Sequence, residues 1–510
     1  MERSAAAPTM AGSTLVLAGL VLAVSNFMVV LDTTIANVSV PHIAGGLGIS
    51  PTEGTWVITS YAVAEAICVP LTGWLARRFG EVKVFIAGII GFGLFSFLCG
   101  LAPTLGALIA FRVGQGLCGG PLMPISQTLL MRIFPKERHG MAMALWSMTT
   151  IVAPIFGPIL GGTISDNWGW NWIFFINVPI AVLCSIAAVA LLRHSESKTE
   201  KVPVDGVGLS LLVLAVGALQ IMLDLGRERD WFGSSFIVEL AIAAFIGFAF
   251  LIAWEMFDRH PVVDLKVFRH RGFTISVISL TFTYGAFFAS LVVIPQWLQT
   301  SLGYTATWAG YATAWNGVAA VFMAPVAAML SQKIDPRILV SGGILWLAVT
   351  SLTRVVWWTS GASFWTLAIP QLIQGAGMPF FFVPLTTLAL GAVEEDEVAS
   401  AAGLMNFLRT MSGAVATAVG VTMWENGGQR ARDSLTSTLN GTNSTMATLQ
   451  AHGFGIEQSR QYVSQLVDAQ ANAVSTVNLF ELFAAVFVGA AMIIWLAPRP
   501  KHAVAAGAGH

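Results

Sequence analysis

The chain has 510 residues with 26 Lys or Arg and 27 Asp or Glu, so charged residues make up 10% where an ordinary soluble domain carries roughly a quarter. Apolar residues reach 55% and 50 glycines come on top, which leaves too little polar surface to keep a chain of this size in water. A net charge of −1 excludes the concentrated basic face that nucleic-acid binding needs, and a polytopic membrane protein remains.

Fourteen runs poor in charge are long enough to cross about 30 Å of hydrocarbon at 1.5 Å per residue, predicting an all-α polytopic fold. Six come first, near 13–33, 55–75, 84–102, 105–130, 141–164 and 172–192. Two follow at 207–225 and 235–257, then six more at 273–295, 309–331, 338–358, 364–390, 400–424 and 478–497. Only Arg3 precedes the first run, which ends at Asp32, so it reads as a true span and not as a cleaved signal peptide. All four cysteines, Cys68, Cys99, Cys118 and Cys184, fall inside spans and predict core packing rather than a disulfide framework. Trp56, Trp168, Trp170, Trp231, Trp297, Trp308, Trp365 and Trp424 lie at span ends, where interfacial anchors are expected.

Placing the N-terminus in the cytoplasm puts eighteen basic residues on that side, among them Arg3, Arg77, Arg78, Arg132, Arg259, Arg269 and Lys501. Only Arg227, Arg229, Arg430, Arg432 and Arg460 fall on the other. That asymmetry predicts both termini inside.

A weak internal repeat runs through the chain. Pro41, Leu47-Gly48, Thr55-Trp56, VPLTGWLARR at 69–78, Gln115-Gly116 and Glu137 recur as Pro295, Leu302-Gly303, Thr307-Trp308, APVAAMLSQK at 324–333, Gln374-Gly375 and Glu397, at offsets between 252 and 260 residues. Six spans need only about 200 residues, so the surplus is two extra spans. The predicted organisation is an N-terminal half at 1–200, two inserted helices at 201–260, and a C-terminal half at 261–510 that holds an extracytoplasmic loop at 425–477. In that loop, 456–477 reads either as a polar helix, a partner surface, or as a mobile connector.

No lysine follows a glycine, so no Gly-Lys-Ser/Thr phosphate loop exists, and neither His-Glu-x-x-His nor Cys-x-x-Cys occurs. The sequence therefore predicts no enzyme, no metal and no cofactor, and work driven by an ion gradient. Ionisable residues within spans are costly unless they line water or find a partner, which singles out Asp32, Glu65, Arg112, Asp224, Arg354 and Arg409. The carboxyls are candidate proton carriers, and each also has a plain structural reading as a helix cap or ion-pair partner. Residues 153–162, Ala-Pro-Ile-Phe-Gly-Pro-Ile-Leu-Gly-Gly, carry Pro154 and Pro158 to bend a helix, with Gly157 and Gly161 on one face for close approach and Gly162 beside them. Gln115, Trp146, Met148, Gln220, Gln374, Phe381 and Asn406 are candidate linings of an adaptable central cavity, each also readable as packing or lipid-facing.

Four stretches, LDTTIANVSVP at 31–41, GWLARRFGEVK at 73–83, RVGQGLCGG at 112–120 and APIFGPILGG at 153–162, resemble the motifs of the major facilitator superfamily, and specifically its fourteen-span EmrB/QacA-type drug:proton antiporters. The resemblance covers essentially the whole chain and implies the major facilitator fold. It implies that Asp32 takes part in proton coupling and that Arg112 supports proton transfer or holds a nearby carboxylate, to which the intramembrane acids Glu65 and Asp224 add two further candidate proton carriers; it implies that Pro154, Gly157, Pro158, Gly161 and Gly162 form a hinge and seal, and that Gly73, Arg77, Arg78 and Gly80 gate the cytoplasmic loop. One departure is Arg77, where the superfamily usually has an aspartate, which leaves the helix-capping role drawn for that acid without its carboxylate; the acidic run 394–397 reads as a solvated loop or as a partner of Arg77, Arg78 or Arg132 in one of the two transport states. The implied function is efflux of hydrophobic toxic compounds in exchange for protons at a bacterial inner membrane. An EmrA-like periplasmic adaptor and an outer-membrane channel are the implied partners. The competing expectation is a proton-coupled symporter importing a small nutrient.

Overall fold

The structure is a computed structural model that describes residues 12–201, 203–258, 261–438 and 442–499, and these form helices without a strand. The first six runs become Gly12–Leu47 (α1), the short Pro51–Gly54 (α2), Trp56–Cys68 (α3) with Thr72–Phe79 (α4), Glu81–Gly100 (α5), Leu105–Gly119 (α6) with Leu122–Ile133 (α7), His139–Trp168 (α8), and Trp172–Phe175 (α9) with Asn177–Leu192 (α10). Gly206–Leu225 (α11) and Ser235–Phe257 (α12) follow. Arg271–Ser301 (α13), Ala306–Leu330 (α14), Pro336–Trp357 (α15), Phe364–Leu390 (α16), Val398–Thr438 (α17), Thr442–Ala451 (α18) and Ile456–Ile493 (α19) complete the order. Every predicted span falls on one helix or an adjacent pair. Among the described residues, ten helices are long and apolar enough to cross a bilayer, or twelve when two bent pairs are each taken as one span. The runs at 105–130 and 400–424, on α6–α7 and α17, make the total compatible with fourteen.

Alternating direction gives the bundle two faces: a near face, where α1 starts and α19 ends, and a far face. The breaks have local causes. Pro70 has no N–H to give, the ladder there shifts to short bonds such as Thr72 N to Val69 O at 3.2 Å, and α4 leaves α3 at 59°. Helix starts are capped by Thr104, Asp205, Thr305, Asp335 and Ser363, whose side-chain oxygens accept backbone N–H groups that have no partner one turn back. Asp335 is also gripped by the Arg337 guanidinium, which holds its carboxyl below the ordinary carboxylate range. Of the basic residues sorted to the near face, Arg3, Arg259 and Lys501 lie outside the described residues.

Glycine sets the closest packing. On α8, a Cβ at Gly157 would sit 2.1 Å from Thr34 Oγ1 and one at Gly161 would sit 3.0 Å from Ile35 O, so α1 and α8 run in near-backbone contact. The α8 axis turns by 44° between His139–Pro154 and Phe156–Trp168. Gly162 meets nothing within 4 Å, so the close approach belongs to the other two glycines. α11 packs on α12, where Gly247 admits Ala215, and on α3; its far end reaches α17.

α17 and α19 outrun the bilayer. Their polar ends, with α18 between them, form a helical hairpin beyond the far face, tied by Trp424 Nε1 donating to Thr476 Oγ1 at 2.8 Å and by Arg432 to Asp468 at 3.1 Å. Of the two expectations for 456–477, the helix is the one observed. Three of the tryptophans expected as anchors turn inward instead: Trp297 is fully buried and stacks on Trp358 at 5.1 Å, Trp424 bonds Thr476, and Trp170 covers Gly46. An indole that finds a partner inside the bundle gives up its interfacial position.

Candidate functional site

Between the far halves of the spans lies a buried polar cluster. α1 brings Asp32, α6 brings Arg112 and Gln115, and the start of α10 brings Asn177, all essentially without solvent contact. Arg112 Nη1 donates to Asp32 Oδ2 at 2.6 Å, while Gln115 Nε2 and Asn177 Nδ2 donate to Oδ1 at 3.0 and 2.6 Å. Arg112 Nε donates to Val57 O at 3.0 Å, and its guanidinium lies over the Tyr61 ring at 4.1 Å. Asn177 also reaches Ser96 Oγ at 3.1 Å, and Ser96 in turn donates to Phe174 O. One carboxylate on α1 thus gathers three donors from two other helices, α6 and α10, which is how a charge is held in a dry bundle.

Beside the cluster is a cavity of about 500 Å³. Its wall is made by Thr34 and Asn37 of α1, Glu65 of α3, Pro154 of α8, Gln220 and Asp224 of α11, Tyr284 and Phe288 of α13, and Arg409, Gly413 and Thr417 of α17. Arg227, Glu228 and Trp231, from the α11–α12 connection, put its mouth at the far face. Gln220 Nε2 donates to Asp224 Oδ1 at 3.0 Å. Arg409 is nearly buried among aromatic faces, 5.4 Å from Trp146, 5.2 Å from Tyr284 and 5.9 Å from Phe382, and bonds the Met123 sulfur; Glu65 is within electrostatic reach of it. Two acids and a caged cation therefore share one chamber large enough for a drug-sized molecule.

Toward the near face the chamber is shut by a seam between α4, α7 and α8 on one side and α16 and α17 on the other. Asn406 Nδ2 donates to Gln127 Oε1, and Trp146 stacks on Phe382 at 6.2 Å and 7° between planes. A Cβ at Gly73 would lie 2.2 Å from Ser400 Oγ, and one at Gly403 would lie 3.0 Å from Val69 O. Arg77 approaches Asp264 at 3.9 Å and its carbonyl accepts from Glu200 N; Arg78 lies over Trp74 at 5.5 Å. Gly80, at φ 92°, backs onto the Glu196 carboxylate, which accepts from Val82 N and Lys83 N and so caps α5. In the acidic run, Glu397 pairs with Arg269 at 2.8 Å and His270 at 2.7 Å, and Glu394 with Arg269, while Arg132 pairs with Glu81.

The Major Facilitator Superfamily model matches residues 22–417. The chain belongs to the Major Facilitator Superfamily. It is 44% identical to Multidrug export protein EmrB of Escherichia coli (strain K12) over 98% of both chains, and 42% identical to Fatty acid resistance protein FarB of Neisseria gonorrhoeae over 99% of both. Among solved structures, the fold is shared with the proton:xylose symporter XylE, at TM-score 0.58 and 14% identity over 96% of each chain. The protein is a multi-pass membrane transporter of this superfamily, not an enzyme.

Within this facilitator chain, the structure brings Asp32, Arg112 and Gln115 into one cluster and places Glu65, Asp224, Gln220 and Pro154 on the chamber wall. The other residues expected on the wall sit elsewhere in this conformation. Gln374 holds Arg354, Trp146 and Asn406 close the seam, Phe381 is buried against Gly343, and Met148 is half-buried on α8. Asn177 and the aromatic cage of Arg409 went unpredicted; the only trace of Asn177 is one amide in the apolar run WIFFINVPI. Gly73→Val has no room in the closed seam, so we expect an at least tenfold loss of transport with protein levels in the membrane unchanged, measured as dye efflux against immunoblotted protein.

Proposed function

We propose that this chain exports structurally varied hydrophobic compounds in exchange for protons by alternating access, with its 1–200 and 261–510 halves rocking around the central chamber and the 201–260 pair flanking it. The supporting observation is the chamber itself, which carries Glu65 and Asp224 on its wall, opens at one face and is closed by a seam at the other. The names of the relatives, multidrug export and fatty acid resistance proteins, agree with that class of cargo. The basic-residue asymmetry makes the near face cytoplasmic, so the conformation described is outward-facing, in a bacterial inner membrane with both termini inside. The hairpin of α17, α18 and α19 then stands in the periplasm, where an EmrA-like adaptor leading to an outer-membrane channel would meet the exporter.

In the cycle, Glu65 and Asp224 take up protons from the outer side while the chamber is open and release them inward after it reverses. Pro154, Gly157, Pro158 and Gly161 let α8 bend against α1, and Gly73, Arg77, Arg78 and Gly80 form the inner closure. Expelling a monovalent cation against 100 mV costs about 2.3 kcal/mol and one entering proton returns as much, so a one-for-one exchange runs on the pH difference, about 1.4 kcal/mol per unit. Coupling requires that proton and cargo favour mutually exclusive states.

The test is a proteoliposome assay with an internal pH dye. Adding a hydrophobic cationic substrate on the side of the inner face should release protons to that side and be driven by a gradient of the opposite sign. Uptake of substrate down the proton gradient, in the same direction as the protons, would instead establish the symporter reading.

A further inference from the structure

The internal repeat makes the Asp32 cluster comparable with its counterpart in the second half. Shifting by the repeat carries Cys99 onto Arg354, 255 residues on, and Arg112 and Gln115 onto Gln371 and Gln374, each 259 residues on; Asp32 falls on Ala286, 254 residues on. The contacts repeat as well. Cys99 Sγ lies 3.7 Å from Gln115 Oε1, and Arg354 Nη2 bonds Gln374 Oε1 in the same relation, with Gln371 Oε1 as a second acceptor at 3.1 Å. The second site therefore has an arginine in place of Cys99, an amide in place of Arg112 and a methyl group in place of the acid.

What remains is an excess of donors around a charge. Arg354 is 1% exposed, lies over Trp358 at 5.3 Å and Phe480 at 4.9 Å, and has no ion pair among the described residues. Its Nε and Nη1, and the Nε2 groups of both Gln371 and Gln374, are buried with no acceptor. Four N–H groups thus face no oxygen, beside a guanidinium that cannot lose its proton at ordinary pH. In the first half, the same surplus of donors converges on the Asp32 carboxylate. A buried cation without a counter-charge is a large penalty in a membrane bundle, and buried donors without acceptors add to it.

We propose that the Arg354–Gln371–Gln374 cluster binds a small monovalent anion of the chloride class, which takes the place of the carboxylate that Ala286 does not supply. One negative charge balances the one guanidinium, and a monatomic anion accepts from several N–H groups without demanding a fixed geometry. The aromatic faces of Trp358 and Phe480 shield the pair from lipid. The anion is structural and is distinct from cargo, since none of the three residues lines the central chamber.

The experiment is thermal unfolding of the purified full-length protein as sodium gluconate is replaced by sodium chloride at constant ionic strength. The wild type should gain about 3 °C with saturable chloride dependence, as expected for a ligand that binds only the folded state. Gln371→Glu builds a carboxylate into the site, so its melting temperature in gluconate should match the wild type in chloride and show no chloride response. Arg354→Gln should also lose the response, from a lower starting point. A wild type indifferent to chloride overturns the proposal, as does a Gln371→Glu variant with the wild-type chloride response. Should neither variant fold, diffraction from wild-type crystals in bromide decides: an anomalous peak at Arg354 supports the site, and its absence there refutes it.

Discussion

Asp32→Asn should be the most damaging single substitution in the chain. The carboxylate and Arg112 are both within 1% of complete burial, so the amide removes the hydrogen-bonded counter-charge of a guanidinium that water does not reach. It also turns an acceptor of three hydrogen bonds into a group that presents its own N–H to donors from Gln115 and Asn177. Removing one partner of a buried pair costs about 3–5 kcal/mol. We expect a sharply lowered melting temperature for the purified protein, together with loss of efflux. Asp32→Asn combined with Arg112→Gln removes both charges at once, and it should recover much of the stability without recovering transport. An Asp32→Asn protein as heat-stable as the wild type would mean that the pair is not the internal strut described above.

The spans were legible because lipid forces each of them to be apolar and about 20 residues long, and that is a signal carried by composition. Which side of a span faces the chamber was not legible, for the same reason. A helix such as α16 is apolar toward lipid and apolar toward its neighbours, so no polar stripe marks Gln374 as a partner of Arg354 or Phe381 as buried packing. Charged residues escaped this limit: Asp32, Glu65, Arg112 and Asp224 stand out because burial in lipid is costly for them, and all four lie in the cluster or on the chamber wall. Arg409 was visible in the sequence, yet its aromatic cage draws on α8, α13 and α16, an assembly that no local pattern encodes. The far-face hairpin was ambiguous for the opposite reason. Residues 425–477 have no lipid to answer to, and contacts such as Trp424 with Thr476, and Arg432 with Asp468 and Ser464, zip the two helices together.

Glu65→Gln should uncouple the transporter without unfolding it. Unlike Asp32, Glu65 stands at the wall of the chamber, half-buried and facing Arg409 rather than locked into a web of donors. The amide keeps the shape of the protonated acid, so it holds the site permanently in the loaded state and costs little in packing. If protons and a cationic substrate compete for this carboxylate, wild-type affinity for that substrate rises with pH as the acid is vacated. The variant should bind with the weak, low-pH affinity at every pH. Efflux driven by a pH gradient should fall at least tenfold, equivalent to about 1.4 kcal/mol of lost driving interaction, while the melting temperature stays near that of the wild type. Asp224→Asn, one helix away and already bonded to Gln220, should give a smaller fall in the same assay, because its chamber-facing charge is shared with that amide. The two measurements to set side by side are equilibrium binding between pH 6 and 8 and gradient-driven efflux in proteoliposomes. Retention of pH-dependent binding and of full efflux in Glu65→Gln would move the proton site away from the chamber wall and back to the buried Asp32 pair.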